Sequence, residues 1–594
     1  MPALSGVRVQ PQLEAANVAA YLPRMARDQP EVRAILAPSG ALSNLVASAR
    51  GLDYEALSYR ELDALAAEYA AGLGEVGIAR GDRAVLMVPP SLPFFALVFG
   101  LFQAGVVPVV LDPGMGPERL GACLARAAPS AFIGIPRAHL ARRALGWGKE
   151  TIRTHVVVGP FARVLGGGAR QAGVSLEELR RRGARRGRQP FAAVSADDVA
   201  AILFTSGSTG VPKGAVYSHG NFLAQTEAIR GMYGIAAGEI DLPTFPLFAL
   251  FDPALGMTTV VPKMDFTRPG SVNGAQIVEP IRRFGITNMF GSPALLERVA
   301  STVAHEGRGG PLLPSLRRVI TAGAPVSARV LESFQRLLGP EARIHTPYGA
   351  TESLPIASID HRTVLDDTRA RSADGEGICV GAPVPSARVA IVRIDDAPRE
   401  RFGPGDLCAI GEVGEICVSG PQVTQEYFRD DENTRLHKMR DEEGHLFHRV
   451  GDVGWRDDDG RLWFCGRKSQ RVEVDGVTRF TEQVEGPFNA LPLVRRAAFV
   501  GPRAGGRVVP TLCIEPMSSK LPRAPGAFVP ASLRAHPRAG VVERFLVIDR
   551  FPVDPRHNAK IHREELRARC EKALACGEGA SWDDVAAQNA KGFR

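Results

Sequence analysis

Apolar runs of strand length alternate with longer amphipathic stretches along the first part of the chain. Ser58-Tyr59-Arg60-Glu61 has the spacing of a capping box, in which serine and glutamate side chains satisfy the first free amides of a helix, and a helical pattern follows through Leu73. The alternation then predicts a strand over 83–88 ended by Pro89-Pro90, a helix over 93–104, a strand over 106–111, a helix over 117–126 and a strand over 130–134. The run Val199-Ala200-Ala201-Ile202-Leu203-Phe204 reads as a buried strand. A helix near 220–232, a strand ending at Pro246 and further helix–strand pairs to about residue 350 follow it. Strands separated by helices imply an α/β architecture with mainly parallel sheets.

From Gly411 the texture changes to strands and turns, with Gly414–Val418, Gly451–Trp455 and Leu462–Phe464 as strands and dense turn chemistry at Asp457-Asp458-Asp459-Gly460. Beyond about residue 470, strand and helix patterns return over a length suited to a separate small domain. Residues 516–541, rich in Pro, Ser, Ala and Arg, read as a loop or partly disordered insertion. The most apolar region, Leu92 to Leu111, is interrupted by Pro93, Gln103, Gly105 and Pro108, so it reads as a buried helix and core strand rather than a membrane span.

A chain of 594 residues exceeds what one hydrophobic core serves, so two or more domains are expected. The net charge of +8 is partly local, because Arg180, Arg181, Arg182, Arg185, Arg186 and Arg188 fall in one segment. No aromatic residues interleave with them and no nucleic-acid module surrounds them, so they read as a solvated helix end and linker. The eight cysteines form no CxxC pair and several stand in apolar strand-like surroundings, which fits a reducing, cytoplasmic setting without structural zinc. No signal peptide is read at Met1 to Gln10.

The densest chemistry is Thr205-Ser206-Gly207-Ser208-Thr209-Gly210-Val211-Pro212-Lys213-Gly214. Glycines leave backbone amides free to face an anion, hydroxyls add short donors, and a lysine supplies mobile charge, so the segment reads as a phosphate cradle. It is not the common P-loop, since Lys213 follows Pro212 and precedes Gly214. Tyr348-Gly349-Ala350-Thr351-Glu352 sets a carboxylate beside a hydroxyl, as a hard cation such as Mg²⁺ requires. Alone, Glu352 reads equally well as a capping or surface acid. Gly451-Asp452 and Gly466-Arg467 put an acid and a base on either side of a hairpin, where a ribose-binding acid or a surface salt bridge would serve. Lys560, in Asn558-Ala559-Lys560-Ile561, would by itself be an idle surface lysine. His219 reads as a helix-start or packing residue, and His557 as solvent-facing beside Lys560.

In this order, from Leu57 to Arg563, these motifs resemble the adenylate-forming superfamily of acyl-CoA synthetases, luciferases and peptide-synthetase adenylation domains. The resemblance implies a large N-terminal domain (1–469) of layered α/β sheets with a β-rich subdomain, and a small mobile α+β C-terminal domain (470–594). It implies ATP and Mg²⁺ as cofactors and activation of a carboxylic acid as an acyl-adenylate. Thr205 to Gly210 and Lys213 would hold phosphates, with Thr205 and Lys213 also catalytic, and Gly323-Ala324-Pro325 would flank adenine. Tyr348 to Thr351 would bind nucleotide, Glu352 the metal, Asp452 the ribose, and Arg467 the domain junction. Lys560 would be the catalytic lysine, swinging in on the small domain. Phe248, Ala249, Met257 and Gly291 are candidates for the acyl pocket wall.

Departures from the family pattern bear on the acceptor. Ala249 stands where an acyl-CoA synthetase carries a larger residue at the acyl–pantetheine junction, Gln470 replaces a hinge acid or lysine, and Asp475 puts a negative charge on the turn expected to face a CoA tunnel. Together with Phe248 to Met257 and Phe551 to Lys560, these resemble the branch that makes β-lactones in bacterial long-chain olefin biosynthesis. That branch implies a long-chain 2-alkyl-3-hydroxy acid substrate and a multi-enzyme assembly with its neighbours, and no nucleic-acid partner. The alternatives are a long-chain acyl-CoA or acyl-AMP ligase, an amino-acid adenylating enzyme suggested faintly by Phe251-Asp252, and an inactive nucleotide-binding scaffold.

Overall fold

The computed structural model describes residues 16–40, 53–159, 173–205, 212–245, 247–304, 311–554 and 560–590. Among them the chain builds two large sheets. The first is seven-stranded, in the order Val174–Ser175, Thr154–Val157, Ala131–Gly134, Arg83–Met87, Val107–Val110, Val199–Thr205 and Lys213–Ser218. Its pairs are parallel except the last, which is an antiparallel hairpin placing Thr205 opposite Lys213. The strand Lys213–Ser218 was not foreseen in the sequence, where a helix alone was expected after the glycine-rich segment.

The second sheet, fourteen-stranded, has a parallel centre of Thr258–Val260, Ile240–Pro243, Asn288–Phe290, Arg318–Ile320 and Arg343–Ala350. It continues through antiparallel strands, Ser353–Asp360 and Ile378–Pro383 first, into the β-rich region that ends at Arg388–Val392. The strand expected to end at Pro246 stops at Pro243, because the aromatic residues that follow turn into a 3-10 helix at Phe248–Leu250. The capping box forms as read: Glu61 N donates to Ser58 Oγ at 3.2 Å and Ser58 N donates to Glu61 Oε2 at 2.8 Å, opening the helix Tyr59–Glu75.

The arginine run is a solvated helix end and the segment after it, as expected, but it is paired. Arg180 to Arg186 lie in the helix Leu176–Arg186 and Arg188 just beyond it; this helix packs against Tyr59–Glu75, where Arg180 pairs with Glu68, Arg186 with Glu75 and Arg188 with Asp63. The two helices approach so closely that a Cβ on Gly183 would stand 1.8 Å from the carbonyl oxygen of Glu68. Three of the arginines therefore engage acids of a neighbouring helix, while Arg181 and Arg182 pair with Glu178 of their own.

After Gln470 the chain forms a separate core under the three-stranded sheet Val494–Val500, Thr511–Pro516 and Arg544–Val547. Residues 516–541, expected to be loop or disorder, are ordered by this core. They carry short 3-10 turns, bury Phe528, Val529 and Ala539, and are tied to the helix Trp582–Ala590 through Gln588 and Asn589. The helix Thr481–Asn489 meets the preceding part of the chain closely, since a Cβ on Gly486 would stand 2.3 Å from the Ser372 carbonyl oxygen. Among the described residues no helix is long and apolar enough to cross a membrane. Leu92–Gln103 is a buried helix, followed by the strand Val107–Val110.

Candidate active site

The carboxyl ends of the parallel strands open onto one cavity of about 2890 Å³, as expected where ligands bind open α/β sheets. Of the segments singled out in the sequence, Thr205 ends one such strand, and Phe245, Thr321–Pro325 and Thr351–Glu352 follow others. The cavity wall includes Lys213, Gly323, Ala324, Pro325, Tyr348, Gly349, Ala350, Thr351, Glu352, Asp452, Arg467 and Lys560. Ser206, Gly207, Ser208, Thr209 and Gly210 lie outside the described residues, as do the Thr205 side chain and His557.

One polar corner is built on a strand pair. Asp452 and Arg467 stand opposite each other in the antiparallel pair Leu446–Arg456 and Leu462–Arg467. Arg467 Nε lies 3.1 Å from Asp452 Oδ1, and Tyr348 donates its hydroxyl to Oδ2 at 2.7 Å. Burial raises the pKa of the Asp452 carboxyl, opposed by the charges of Arg467 and Lys560 and by the Tyr348 hydroxyl. Oδ1 is buried without a hydrogen bond of good geometry, and so is Thr321 Oγ1, on the wall of the same cavity. Buried polar atoms of this kind call for a partner. The hydroxyls and ring nitrogens of a nucleoside would supply one. Lys560 reaches the same cavity from beyond the separate core, where the chain is clamped by a bridge between Val553 and Ile561.

The second polar corner surrounds Glu352. Tyr427 donates its hydroxyl to Glu352 Oε1 at 2.7 Å, and Tyr427 also carries Lys213 Nζ 5.4 Å from its ring centre. Lys213 Nζ donates to His437 Nε2 at 2.6 Å, while His437 Nδ1 faces the Arg449 carbonyl oxygen at 3.3 Å. That pattern makes Nδ1 the protonated nitrogen and Nε2 the acceptor. Burial, and next the Lys213 charge, push the His437 pKa down to about 3, so the ring is neutral. Burial also lowers the Lys213 pKa, against the pull of Glu352, and takes buried Lys438 down to about 7. Tyr427, His437 and Lys438 escaped the sequence reading because no spacing rule links them; only the fold brings them to Glu352.

The remaining wall is apolar. Phe248 stacks on Phe290 with ring centres 4.1 Å apart, and Phe245, Leu250 and Phe251 line the same cavity. Ala249 does not. It is 1% exposed and turned into the core shared with the helix Leu92–Gln103, because successive residues of the 3-10 turn face different sides. Met257 is likewise core, and a Cβ on Gly291 would meet Met289, Leu295 and Leu296 rather than the cavity. The acyl-wall assignments of Ala249, Met257 and Gly291 are thus corrected, and with the first goes one argument against a CoA acceptor. Gln470 lines the cavity at the junction, whereas Asp475 sits at the tip of the hairpin between Val472–Val474 and Val477–Arg479 with positive φ, away from the wall.

Asp252 does not face the cavity either. It is buried, accepts from Thr259 Oγ1 at 2.9 Å and pairs with Asp241, so no α-amino group could reach it. Among the described residues, the three-acid-or-histidine cluster with metal-like spacing, Asp441, Glu443 and His445, is largely exposed and outside the cavity wall.

The family model described as AMP-binding enzyme matches residues 24–428. The chain belongs to the AMP-binding enzyme family. It is therefore an enzyme of the class that activates acids with ATP. An olefin beta-lactone synthetase of Xanthomonas campestris is 48% identical over 93% of this chain and 96% of its own length. A second, from Stenotrophomonas maltophilia, is 47% identical over 93% of this chain and 97% of its own. Among solved structures, an amide bond synthetase from Marinactinospora thermotolerans superposes with a TM-score of 0.72 at 22% identity, covering 93% of this chain and 99% of that one, a likeness of fold. The AMP-binding fold accounts for both large sheets.

Proposed function

We infer that this chain is an ATP-dependent β-lactone synthetase. It adenylates a long-chain 2-alkyl-3-hydroxy acid and closes it to the lactone, releasing AMP and pyrophosphate, in olefin biosynthesis. The near-full-length similarity to two olefin β-lactone synthetases carries this reading. A cavity with two polar corners and an apolar wall agrees with it.

Asp452 accepts the ribose hydroxyls while Arg467 and Tyr348 keep its carboxylate ionised and aimed. Lys213 exchanges His437 for a phosphate oxygen, which a neutral imidazole yields at little electrostatic cost. Glu352 fits a hard cation: it is a buried carboxylate with one oxygen fixed by Tyr427, at the phosphate side of the cavity. Mg²⁺ held there would neutralise charge on the departing pyrophosphate. A carboxylate oxygen of the acid attacks the α-phosphorus, with Lys560 stabilising the charge that gathers between them. The C-terminal part from residue 470 acts as a mobile lid that keeps water from the adenylate.

In the second step the β-hydroxyl oxygen attacks the activated carbonyl carbon, the bond to AMP breaks, and the hydroxyl proton departs. Holding both groups in one molecule supplies an effective molarity that in favourable cases reaches about 10⁵–10⁸ M, part of which offsets ring strain. The test is incubation with ATP, Mg²⁺ and a 2-alkyl-3-hydroxy acid, with and without CoA, followed by NMR of the organic extract. β-Lactone without CoA is expected. A strict requirement for CoA, with a thioester as product, would overturn the reading.

A further inference from the structure

Beneath the apolar wall, one row of the large sheet is polar. Thr259, Asp241, Asn288 and Arg318 are register neighbours on four adjacent parallel strands, so their side chains share a face. Asp241 and Asn288 are hydrogen-bonded, and Arg318 Nη1 donates to Asn288 Oδ1 at 3.2 Å and to Glu239 Oε2 at 2.7 Å. Onto this row the short helix Asp252–Leu255 lowers a second carboxyl group. Asp252 accepts from Thr259 Oγ1 at 2.9 Å and hydrogen-bonds to the Asp241 carboxyl group. Asp241 and Asp252 are 3% and 4% exposed, so neither can discharge its charge to water.

Two carboxyl groups in such contact cannot both be ionised without a partner cation. The donors sort them. Asp241 receives the Asn288 amide and feels the Arg318 charge, whereas Asp252 has a hydroxyl and the other acid. The proton therefore resides on Asp252, which donates to the Asp241 carboxylate. Burial raises both pKa values, Asp241 to about 7 and Asp252 well above the usual carboxylate range. The remaining titratable neighbour, Tyr59, is buried and donates to the Met257 carbonyl oxygen at 2.6 Å.

The segment so pinned is the one that carries the wall. Phe248 and Phe251 line the cavity within four residues of Asp252, and the same segment is held at Ala254 by Arg230 Nη2 at 2.9 Å. We propose that Asp252 and Asp241 are positioning residues for the acid substrate: their shared proton fixes the aromatic segment Leu247–Phe251 to the sheet and so sets the place of the acyl chain. The inference rests on the acid-activating function above and concerns no group that touches ATP.

The test compares wild type, Asp252→Asn and Asp252→Ala by acid-dependent ATP–pyrophosphate exchange, with binding of the fluorescent fatty acid cis-parinaric acid as a readout independent of turnover. Asparagine can still donate to Asp241, so Asp252→Asn should keep the wild-type KM for the acid. Asp252→Ala should raise that KM about tenfold, the scale of a lost hydrogen bond to a charged group, with the KM for ATP within about twofold because neither Asp241 nor Asp252 lines the cavity. Parinaric acid should weaken in parallel. In wild type the acid KM should rise at alkaline pH as Asp252 loses its proton, and Asp252→Asn should abolish that rise. An alanine variant with unchanged acid KM and parinaric acid binding, or equal losses for acid and ATP, would overturn the inference. Absence of exchange in wild type would instead overturn the proposed function.

Discussion

Replacing Lys560 by alanine removes a positive group that lines the cavity beyond Phe551, beside Asp554, Ile561 and His562. In the structure its charge acts on Asp452, where it opposes the effect of burial. Directed at the reacting phosphate, a unit charge about 4 Å from an anion contributes about 4 kcal/mol at an effective dielectric constant near 20. Since about 1.36 kcal/mol is tenfold in rate, adenylation should slow by about 10³. Binding of ATP should survive at neutral pH, because Lys213, Tyr348 and Asp452 are untouched. Its pH dependence should change in a definite direction. In the proposed role Asp452 would bind ribose as a carboxylate, and burial already raises its pKa; losing the Lys560 charge raises it further. The acid limb of ATP affinity should therefore move to higher pH in Lys560→Ala. Pyrophosphate exchange gives the rate and titration calorimetry across pH gives the affinity. Exchange at the wild-type rate, or an acid limb displaced to lower pH, would refute the argument.

Asp452→Asn should weaken ATP binding by about 10- to 100-fold, the scale of a charged hydrogen bond, as measured by calorimetry; unchanged affinity would remove Asp452 from the ribose site. Gly183→Ala drives a methyl group into the Glu68 carbonyl and should destabilise by about 1–3 kcal/mol, seen as a lower thermal midpoint with kinetics per folded molecule unchanged. Ala249→Phe should likewise lower the midpoint, as overpacking of a core position, without creating CoA-dependent activity. Phe248→Ala, by contrast, should raise the KM for the acid and leave that for ATP alone.

Much of the fold was legible because it depends on local signals. The capping box at Ser58 and the strand-length runs at 83–88 and 130–134 act within a few residues, and the structure places elements there. Several motif-bearing residues were legible for a related reason: Thr205, Gly323 to Pro325 and Glu352 stand at or just beyond the end of a strand, where glycine and polar residues interrupt an apolar run. What was not legible depends on the third dimension. Ala249 reads as a pocket residue in a string of phenylalanines, and only the turn of the 3-10 helix shows it facing inward. Arg180, Arg186 and Arg188 look unpaired until the helix Tyr59–Glu75 is laid beside them. Asp241 and Asp252 are eleven residues apart, and nothing in that spacing announces that two strands and a helix will press them together.

The most direct test of the central claim is to follow oxygen. With the acid labelled by ¹⁸O in both carboxyl positions, attack of the carboxylate on the α-phosphorus and then of the β-hydroxyl on the carbonyl transfers one label to AMP. The lactone keeps the other in its carbonyl, with unlabelled ring oxygen. Mass spectrometry of both products should find that distribution. Unlabelled AMP with both labels in the lactone would mean that ATP activates the hydroxyl rather than the carboxylate, and would contradict the account.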